Sequence, residues 1–305
     1  MTTFFRRKDQ GELSPEKEKR SAAKSSVVSA LGLVTMKVVV GFSTGSLGIL
    51  AEAAHSGLDL VAAAVTYFAV KEASKPADRE HRYGHGKVEN LSALFETLLL
   101  LLTCVWIGYE SIHRLMSGKV EVTVTIWSFI VMGISIVVDI SRSRMLHRVA
   151  RKHNSQALEA DALHFSTDIW SSAVVILGLG CVALSDIIPN SNFLHYADAV
   201  AALLVAGIVV HVSWQLGVRT IAALLDAAPS GLYDKVIVAA ITVPGVINCH
   251  RVRIRSSGAQ VFIDMHVLMD GNLSFREAHA LTKAVEKVIR VVEPGADVTV
   301  HPEPK

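Results

Sequence analysis

The feature that most constrains the fold of this chain is a series of apolar segments, each long enough to cross a lipid bilayer. A transmembrane helix needs about 20 mainly apolar residues. Six segments meet that requirement, at roughly 25–45, 47–70, 89–112, 122–141, 157–185 and 197–222. A hydrophobic content of 51% supports this interpretation. The sequence therefore predicts an α-helical membrane protein with six transmembrane helices in residues 25–226, after an N-terminal arm of residues 1–24.

Positive charges indicate which side of the membrane each connection faces. Seventeen Lys and Arg residues lie in the arm and in the connections 71–87 and 142–152, whereas the opposite side carries Arg114 and Lys119. Cytoplasmic connections are enriched in Lys and Arg, so the sequence predicts that both termini are cytoplasmic. The arm has no adjacent apolar stretch or small-residue cleavage site, so it does not resemble a signal peptide.

Charge and cysteine content argue against three other interpretations of the chain. A formal net charge of +2 gives little support for nucleic-acid binding. Cys104, Cys181 and Cys249 lie far apart and form no Cys-x-x-Cys pair, so neither a disulfide framework nor a thiolate zinc site is indicated.

Residues 227–305 have the pattern of a small cytoplasmic α+β domain. The stretch "SGLYDKVIVAAITVPG" predicts a short helix, and "VINCHRVRIRSSG" and "AQVFIDMHVLMD" alternate apolar and polar residues as strands do. A second helix is predicted in "SFREAHALTKAVEKVIRVV", where Ser274 and Glu277 form a capping box before an apolar stripe. With a last strand in "ADVTVHPE", this order predicts helices packed on one face of a sheet.

Two histidine–aspartate pairs lie inside predicted spans. His55 and Asp59 in the second span, like His164 and Asp168 in the fifth, are four residues apart and so share a helix face. Ionisable groups are costly in a membrane and usually mark an ion or substrate path. Two imidazoles and two carboxylates make a four-ligand set that suits zinc, whereas magnesium and calcium favour six or more oxygens. The alternative is two hydrogen-bonded pairs that only hold helices together.

The connection "DREHRYGHGK" is a second candidate metal site. Asp78, His81 and His85 lie at intervals of three and four residues, a spacing that a helical turn or compact loop would bring to one cation. Gly84 and Gly86 would let the backbone bend around the ion. An ordinary solvated loop is the alternative.

A third candidate site lies in the cytoplasmic domain. His301 and Glu303 share one face of the last predicted strand, and His250 and His266 lie on the other two strands. Such a cluster would bind zinc, although scattered surface histidines usually do nothing together. His279 lies off the apolar stripe of its helix and is a weaker candidate.

Five other ionisable residues lie in or near the spans: Lys37, Glu52, Glu96, Asp139 and Asp161. Glu52 and Asp161 each precede a span histidine by three residues, so either would be placed to accept a hydrogen bond from an imidazole N–H. Structural pairing or snorkelling explains most of these residues equally well. Their roles stay open.

These features resemble the cation diffusion facilitator family over nearly the whole chain. The stretches "HSGLD" and "HFSTD" match its His/Asp-x-x-x-Asp pairs in the second and fifth spans, and "PADREHRYGHGKVE" matches the Asp-x-x-His-x-x-Gly-His-Gly-Lys pattern of bacterial members. The resemblance implies six spans, a bacterial inner-membrane location and a ferredoxin-like C-terminal domain of the metallochaperone type. It also implies three sets of metal ligands. The transport set is His55, Asp59, His164 and Asp168, and the loop set is Asp78, His81 and His85. The set in the cytoplasmic domain is His250, His266 and His301. In that domain "HPE" places Glu303 where some zinc members have an aspartate.

The resemblance implies a homodimer, surrounded by membrane lipids, in which each protomer exchanges cytosolic divalent metal for H+. Zn2+ would be the transported and also a regulatory ion, and no enzymatic activity is expected. One alternative is the same fold exporting Fe2+, Mn2+, Co2+ or Cd2+, and another is a metal-sensing membrane scaffold without transport. An intramembrane metalloenzyme is disfavoured because the His-Glu-x-x-His motif is absent.

Overall fold

The computed structural model describes residues 14–117, 126–185 and 194–305. Six long helices come first in this part of the chain. They are α1 (Pro15–Thr44), α2 (Leu47–Ala73), α3 (Lys87–Ser117), α4 (Ile126–His153), α5 (Gln156–Ser185) and α6 (Leu194–Leu224). Each corresponds to one of the six apolar segments of the sequence.

Four stretches of the described helices are long and apolar enough to cross a membrane: Pro15–Thr44, Glu52–Ala73, Lys87–Trp106 and Leu203–Leu224. Large apolar side chains on these helices, such as Phe42, Leu102 and Trp106, point outwards from the bundle. Such a surface suits a lipid environment, since it would be unfavourable in water. The chain therefore has a helical transmembrane domain, while crossing by α4 and α5 stays a prediction.

Small side chains let the helices pack closely around the two histidine–aspartate motifs. α1 packs on α2 and α4, α4 packs on α5, and α3 packs on α6. A buried cluster that includes Ala22, Ala23, Val70, Ala150 and Ala157 joins α1, α2, α4 and α5. Small residues allow such close approach of helices in membranes. As a result α2 and α5, which carry the two motifs, come into contact.

Two helices extend beyond the predicted spans. α1 begins at Pro15, so residues 15–24 of the predicted arm are helical. α4 continues to His153, so the connection predicted at 142–152 is helical and not a loop. Lys19 and Arg142, which a pattern of charge places in solvent, are buried. The physical reason is pairing inside the bundle, since Lys19 Nζ lies 2.6 Å from Glu89 Oε1. Residues 1–13 and Lys119 lie outside the described residues.

The C-terminal domain has the predicted order of elements. It comprises α7 (Leu232–Ile241), β1 (Asn248–Ser257), β2 (Gln260–Met269), α8 (Phe275–Val292) and β3 (Asp297–Pro304). β2 lies in the centre of the sheet, antiparallel to β1 and parallel to β3. Val236, Ile263, Val285 and Ile289 form part of a core between the sheet and the two helices. The capping box of Ser274 and Glu277 is present at the start of α8.

Candidate metal centres

Helices α2 and α5 bring three of the four predicted intramembrane ligands together. The ligand atoms of Asp59, His164 and Asp168 lie within 4.8 Å of one another. His164 Nε2 is 3.1 Å from Asp59 Oδ1 and 3.8 Å from Asp168 Oδ2. Two atoms bound to one zinc ion at tetrahedral angles lie about 3.4 Å apart. The three side chains are therefore spaced as ligands of a single ion would be.

His55 lies at the edge of this group. Its Nε2 is 4.0 Å from Asp59 Oδ1, and its side chain is 45% exposed, compared with 8% for His164. The spacing of four residues does place His55 on the same face of α2 as Asp59, as the sequence predicts. The two histidines of the motifs therefore differ in burial, which their identical sequence spacing gave no means to foresee.

The imidazole of His164 donates to neither Glu52 nor Asp161, the acids that precede the two motif histidines by three residues. Its Nδ1 is buried without a hydrogen-bond partner among the described residues. Asp161 Oδ2 accepts instead from the Ser26 hydroxyl at 3.1 Å, and Glu52 Oε2 accepts from Lys37 Nζ at 3.3 Å. These acids therefore pair with α1 and not with the metal centre.

The other three of the five ionisable residues singled out in the sequence also have partners on neighbouring turns or helices. Lys37 Nζ donates to Ser56 Oγ at 2.8 Å, and the hydroxyl of Thr66 donates to buried Glu96. Asp139 pairs with Arg142 on its own helix. These contacts favour structural pairing for most of the group.

The connection between α2 and α3 also brings its three candidate ligands together. The ligand atoms of Asp78, His81 and His85 lie within 4.8 Å of one another, with His85 Nε2 3.3 Å from Asp78 Oδ2. The backbone N–H groups of His81 and Glu80 donate to the Asp78 carboxylate at 2.6 and 2.9 Å. These bonds, that of His81 first, hold the pKa of Asp78 below its ordinary value of 3.8. The carboxylate is thus ionised and oriented at neutral pH.

This loop is docked on the β1–β2 hairpin of the cytoplasmic domain. Gly86 lies so close to the hairpin that a methyl group on its Cα would overlap the Ser257 carbonyl. The guanidinium carbon of Arg255 lies 3.6 Å over the ring of Tyr83, which meets the Phe262 ring edge-on at 5.1 Å. A cavity of about 310 Å³ lies between the loop and the hairpin beside these contacts. The loop that carries the cluster is therefore in direct contact with the C-terminal domain through Tyr83 and Gly86.

The cytoplasmic domain gathers a third cluster on its three strands. The ligand atoms of His250, His266 and Glu303 lie within 4.8 Å of one another. Glu303 Oε1 is 2.6 Å from His266 Nδ1, and Glu303 Oε2 is 3.0 Å from His250 Nε2. The hydrogen bond with His266 is the main cause that lowers the pKa of Glu303 from its ordinary 4.5. The ring of His301 lies 4.7 Å from that of His266 but outside the compact group.

A backbone irregularity accompanies this third cluster. The β1–β2 register shifts between His250 and Arg253, and Arg251 has a φ of 49°. A bulge of this kind re-aims the neighbouring side chains, and the regular alternation of the sequence gave no sign of it. His279 is exposed on α8 and belongs to none of the three described clusters.

Comparison with known proteins gives consistent matches over most of the chain. A family model of the cation efflux transmembrane domain matches residues 23–225, and one of the cation efflux protein cytoplasmic domain matches residues 228–305. The cation-efflux pump FieF of Shewanella oneidensis is 31% identical over 284 residues, which cover 93% of each protein. FieF of Yersinia enterocolitica is 32% identical over 288 residues, which cover 93% of this chain and 92% of that protein. A solved MamM C-terminal domain is 24% identical, covering 24% of this chain and 95% of that one, with a TM-score of 0.24.

Proposed function

Because this chain belongs to the cation diffusion facilitator family of cation efflux transporters, we propose that it exports Zn2+ from the cytosol in exchange for H+. The observation that carries this proposal is the convergence of Asp59, His164 and Asp168 inside the helical domain. Members of the family are membrane transporters and not enzymes, so no catalytic residue is assigned.

The choice of metal rests on the chemistry of the ligands. His164 supplies nitrogen and the two aspartates supply oxygen, and His55, with Nε2 4.0 Å from Asp59 Oδ1, would complete a four-coordinate set. Imidazole suits zinc and its neighbours, whereas carboxylates suit harder ions such as manganese. Zn2+ is therefore the favoured cargo, and Fe2+, Mn2+, Co2+ and Cd2+ are the alternatives.

Proton exchange follows from competition for the same lone pairs. The metal binds the neutral imidazole and the ionised carboxylates, so binding releases protons and protonation releases the metal. Rocking of one group of helices against another would open the centre to each side of the membrane in turn. A more acidic exterior would then unload the ion and return protons inwards.

The orientation and assembly belong to the same proposal. The charge distribution supports cytoplasmic termini in a bacterial inner membrane, and the bacterial relatives are consistent with that location. We propose a homodimer in which the cytoplasmic domains contribute to the contact between protomers. The clusters at Asp78 and Glu303 would bind metal on the cytoplasmic side and report its concentration to the transporter.

Flux into vesicles that contain only the purified protein tests this function. Imposed Zn2+ and pH gradients should drive uptake by the parent protein and none by Asp168→Asn, which keeps the shape of the side chain but removes an anionic ligand. Asp234→Asn, an exposed acid on α7, is the matched control and should transport like the parent. A sensor would bind zinc but move none, and parent-like flux by a folded Asp168→Asn protein would refute the assignment of the site.

A further inference from the structure

A buried arginine joins three helices on the cytoplasmic side of the proposed transport centre. Arg142 lies on α4 and is 3% exposed. A charge inside a helical membrane domain is costly unless polar partners surround it. The polar partners of Arg142 therefore indicate its role in the protein.

The two arms of the guanidinium reach different helices. Nη1 lies 3.4 Å from Asp139 Oδ1 on the same helix, whereas Nη2 donates to Ser26 Oγ of α1 at 3.0 Å. Ser26 Oγ in turn donates to Asp161 Oδ2 of α5 at 3.1 Å. The hydroxyl thus connects the arginine of α4 to a carboxylate of α5. Ser26 and Asp161 are both fully buried.

The face of the same guanidinium contacts α5 directly. Its central carbon lies 3.5 Å over the ring of Phe165, which is 1% exposed and follows His164 in sequence. A cation over an aromatic face is attracted by the ring, more strongly when both are away from water. Arg142 therefore holds α5 at two points, the ring of Phe165 and, through Ser26, the carboxylate of Asp161.

These two points belong to the stripe of α5 that carries the proposed ligands. Asp161, His164, Phe165 and Asp168 follow one another at intervals of three, one and three residues, so they lie on one face of the helix. A rotation of α5 that moved Phe165 away from the guanidinium would also move His164 Nε2 away from Asp59. Metal sites require their ligands to be held to within about 0.5 Å by the residues behind them.

We propose that Arg142, acting through Ser26 and Phe165, is a positioning residue that fixes the rotation of α5 and thereby the geometry of the Asp59–His164–Asp168 centre. This inference rests on the proposed transport function. It assigns Arg142 no contact with the ion. Substitutions that disturb the Arg142 contacts should therefore weaken metal binding, with the maximal rate of transport much less affected.

Three variants test the proposal in the vesicle flux assay. Ser26→Ala removes the bridge but no charge, and should raise the KM for Zn2+ about fivefold, the size expected for one lost hydrogen bond, with a change in maximal rate of less than about twofold. Arg142→Lys keeps the positive charge but loses the two-armed guanidinium group, and should raise the KM more than Ser26→Ala does. Arg142→Gln should have the largest effect of the three, or fail to fold.

Two matched controls separate positioning from a general loss of stability. Ser92→Ala removes a buried hydroxyl that has no hydrogen-bond partner in the described chain, and Arg148→Lys alters an exposed arginine of the same helix. Both should keep the parent KM. A lowered melting temperature with an unchanged KM in Ser26→Ala and Arg142→Lys would overturn the proposal, as would a fall in maximal rate alone.

The Asp168→Asn protein distinguishes failure of this inference from failure of the function. If Asp168→Asn is inactive while Ser26→Ala and Arg142→Lys keep the parent KM, the positioning role is wrong and the transport centre stands. If Asp168→Asn transports like the parent, both proposals are overturned. A raised KM in both variants, with Asp168→Asn inactive and the controls unchanged, supports the role of Arg142 even where Arg142→Gln does not fold.

Discussion

At the scale of single residues, the two motif histidines should contribute unequally to metal binding. His164 is buried with Nε2 between two carboxylates, whereas His55 is 45% exposed and 4.0 Å from its nearest acid. We expect His164→Ala to weaken zinc binding by about 100-fold or more and His55→Ala by about tenfold, taking the effect of a supporting group as the lower limit. The KM for Zn2+ in the vesicle flux assay compares the two variants at the transport centre, and equal rises in KM would contradict the ranking.

Glu303 gives a pH prediction for the metal-free cytoplasmic domain. Its pKa in the folded protein is below the ordinary 4.5 because His266 is hydrogen-bonded to the carboxylate. A group with a lowered folded pKa stabilises the fold above its unfolded pKa, and that contribution disappears as the pH falls through the folded pKa. With a chelator present, the melting temperature of the parent should exceed that of Glu303→Gln at pH 6. The difference should shrink as the pH falls below about 4.5, and a difference that is constant down to pH 3 would argue against the pair.

Residue spacing predicts which side chains share a helix face, but not which of them meet in the fold. The four-residue spacing of His55 and Asp59, and of His164 and Asp168, fixes the shared face within each helix. The exposure of His55 depends on how α2 rotates against α5, and the burial of Arg142 depends on Ser26 and Asp161, each distant from it in sequence. Neither dependence leaves a local pattern.

At the scale of elements, the contact between the α2–α3 loop and the β1–β2 hairpin requires a glycine at position 86. A Cβ there would overlap the Ser257 carbonyl, which is backbone and cannot move aside as a flexible side chain would. Overpacking of this kind costs about 1–3 kcal/mol. We therefore expect Gly86→Ala to separate the loop from the hairpin, with faster hydrogen exchange at residues 255–260 and a lower melting temperature.

Gly32 provides the matched control for that substitution. It lies in α1, and a Cβ on it would meet no atom within 4 Å. Gly32→Ala should therefore leave hairpin exchange unchanged and slightly stabilise the helix. If Gly86→Ala leaves exchange at the hairpin equally unchanged, the loop and the domain are not in firm contact in solution.

The elements themselves show where sequence patterns are reliable. Apolar runs and a capping box identified the helices, and two-residue alternation identified β1 and β2, because these periods follow directly from backbone geometry. The ends of α1 and α4 could not be placed in this way, since charged residues normally mark the end of a span. Lys19 remains inside the bundle because Glu89, 70 positions away, neutralises it.

At the scale of the whole molecule, the chain divides into a membrane domain and a cytoplasmic domain, each with its own core. Among the residues that the structure describes, the core around Val236, Ile263, Val285 and Ile289 includes none from α1 to α6. Contacts between the domains include the packing of Tyr83, in the α2–α3 loop, against Arg255 and Phe262 of the hairpin. At the junction of the two domains, Lys87 Nζ lies 2.8 Å from Asp226 Oδ1. Metal bound at the proposed loop site would therefore be placed to influence how the two domains sit together.

Because this core is separate, we expect residues 228–305 to fold alone. We also expect zinc to stabilise the fragment, since it contains the candidate ligands His250, His266 and Glu303. An ion that binds only the folded state raises its stability by about 2.7 kcal/mol at 100 times its dissociation constant. For a domain of this size that corresponds to a rise in melting temperature of roughly 10 °C or more. Replacing His266, which is adjacent to both Glu303 and His250 in the cluster, should remove most of the rise. Replacing exposed His279 on α8 should leave the rise in melting temperature intact.

Scanning calorimetry of the fragment, with zinc and with a chelator, measures these differences. Equal melting temperatures in the two conditions would mean that the three strands gather these side chains without forming a metal site, and regulation through this domain would have to be abandoned.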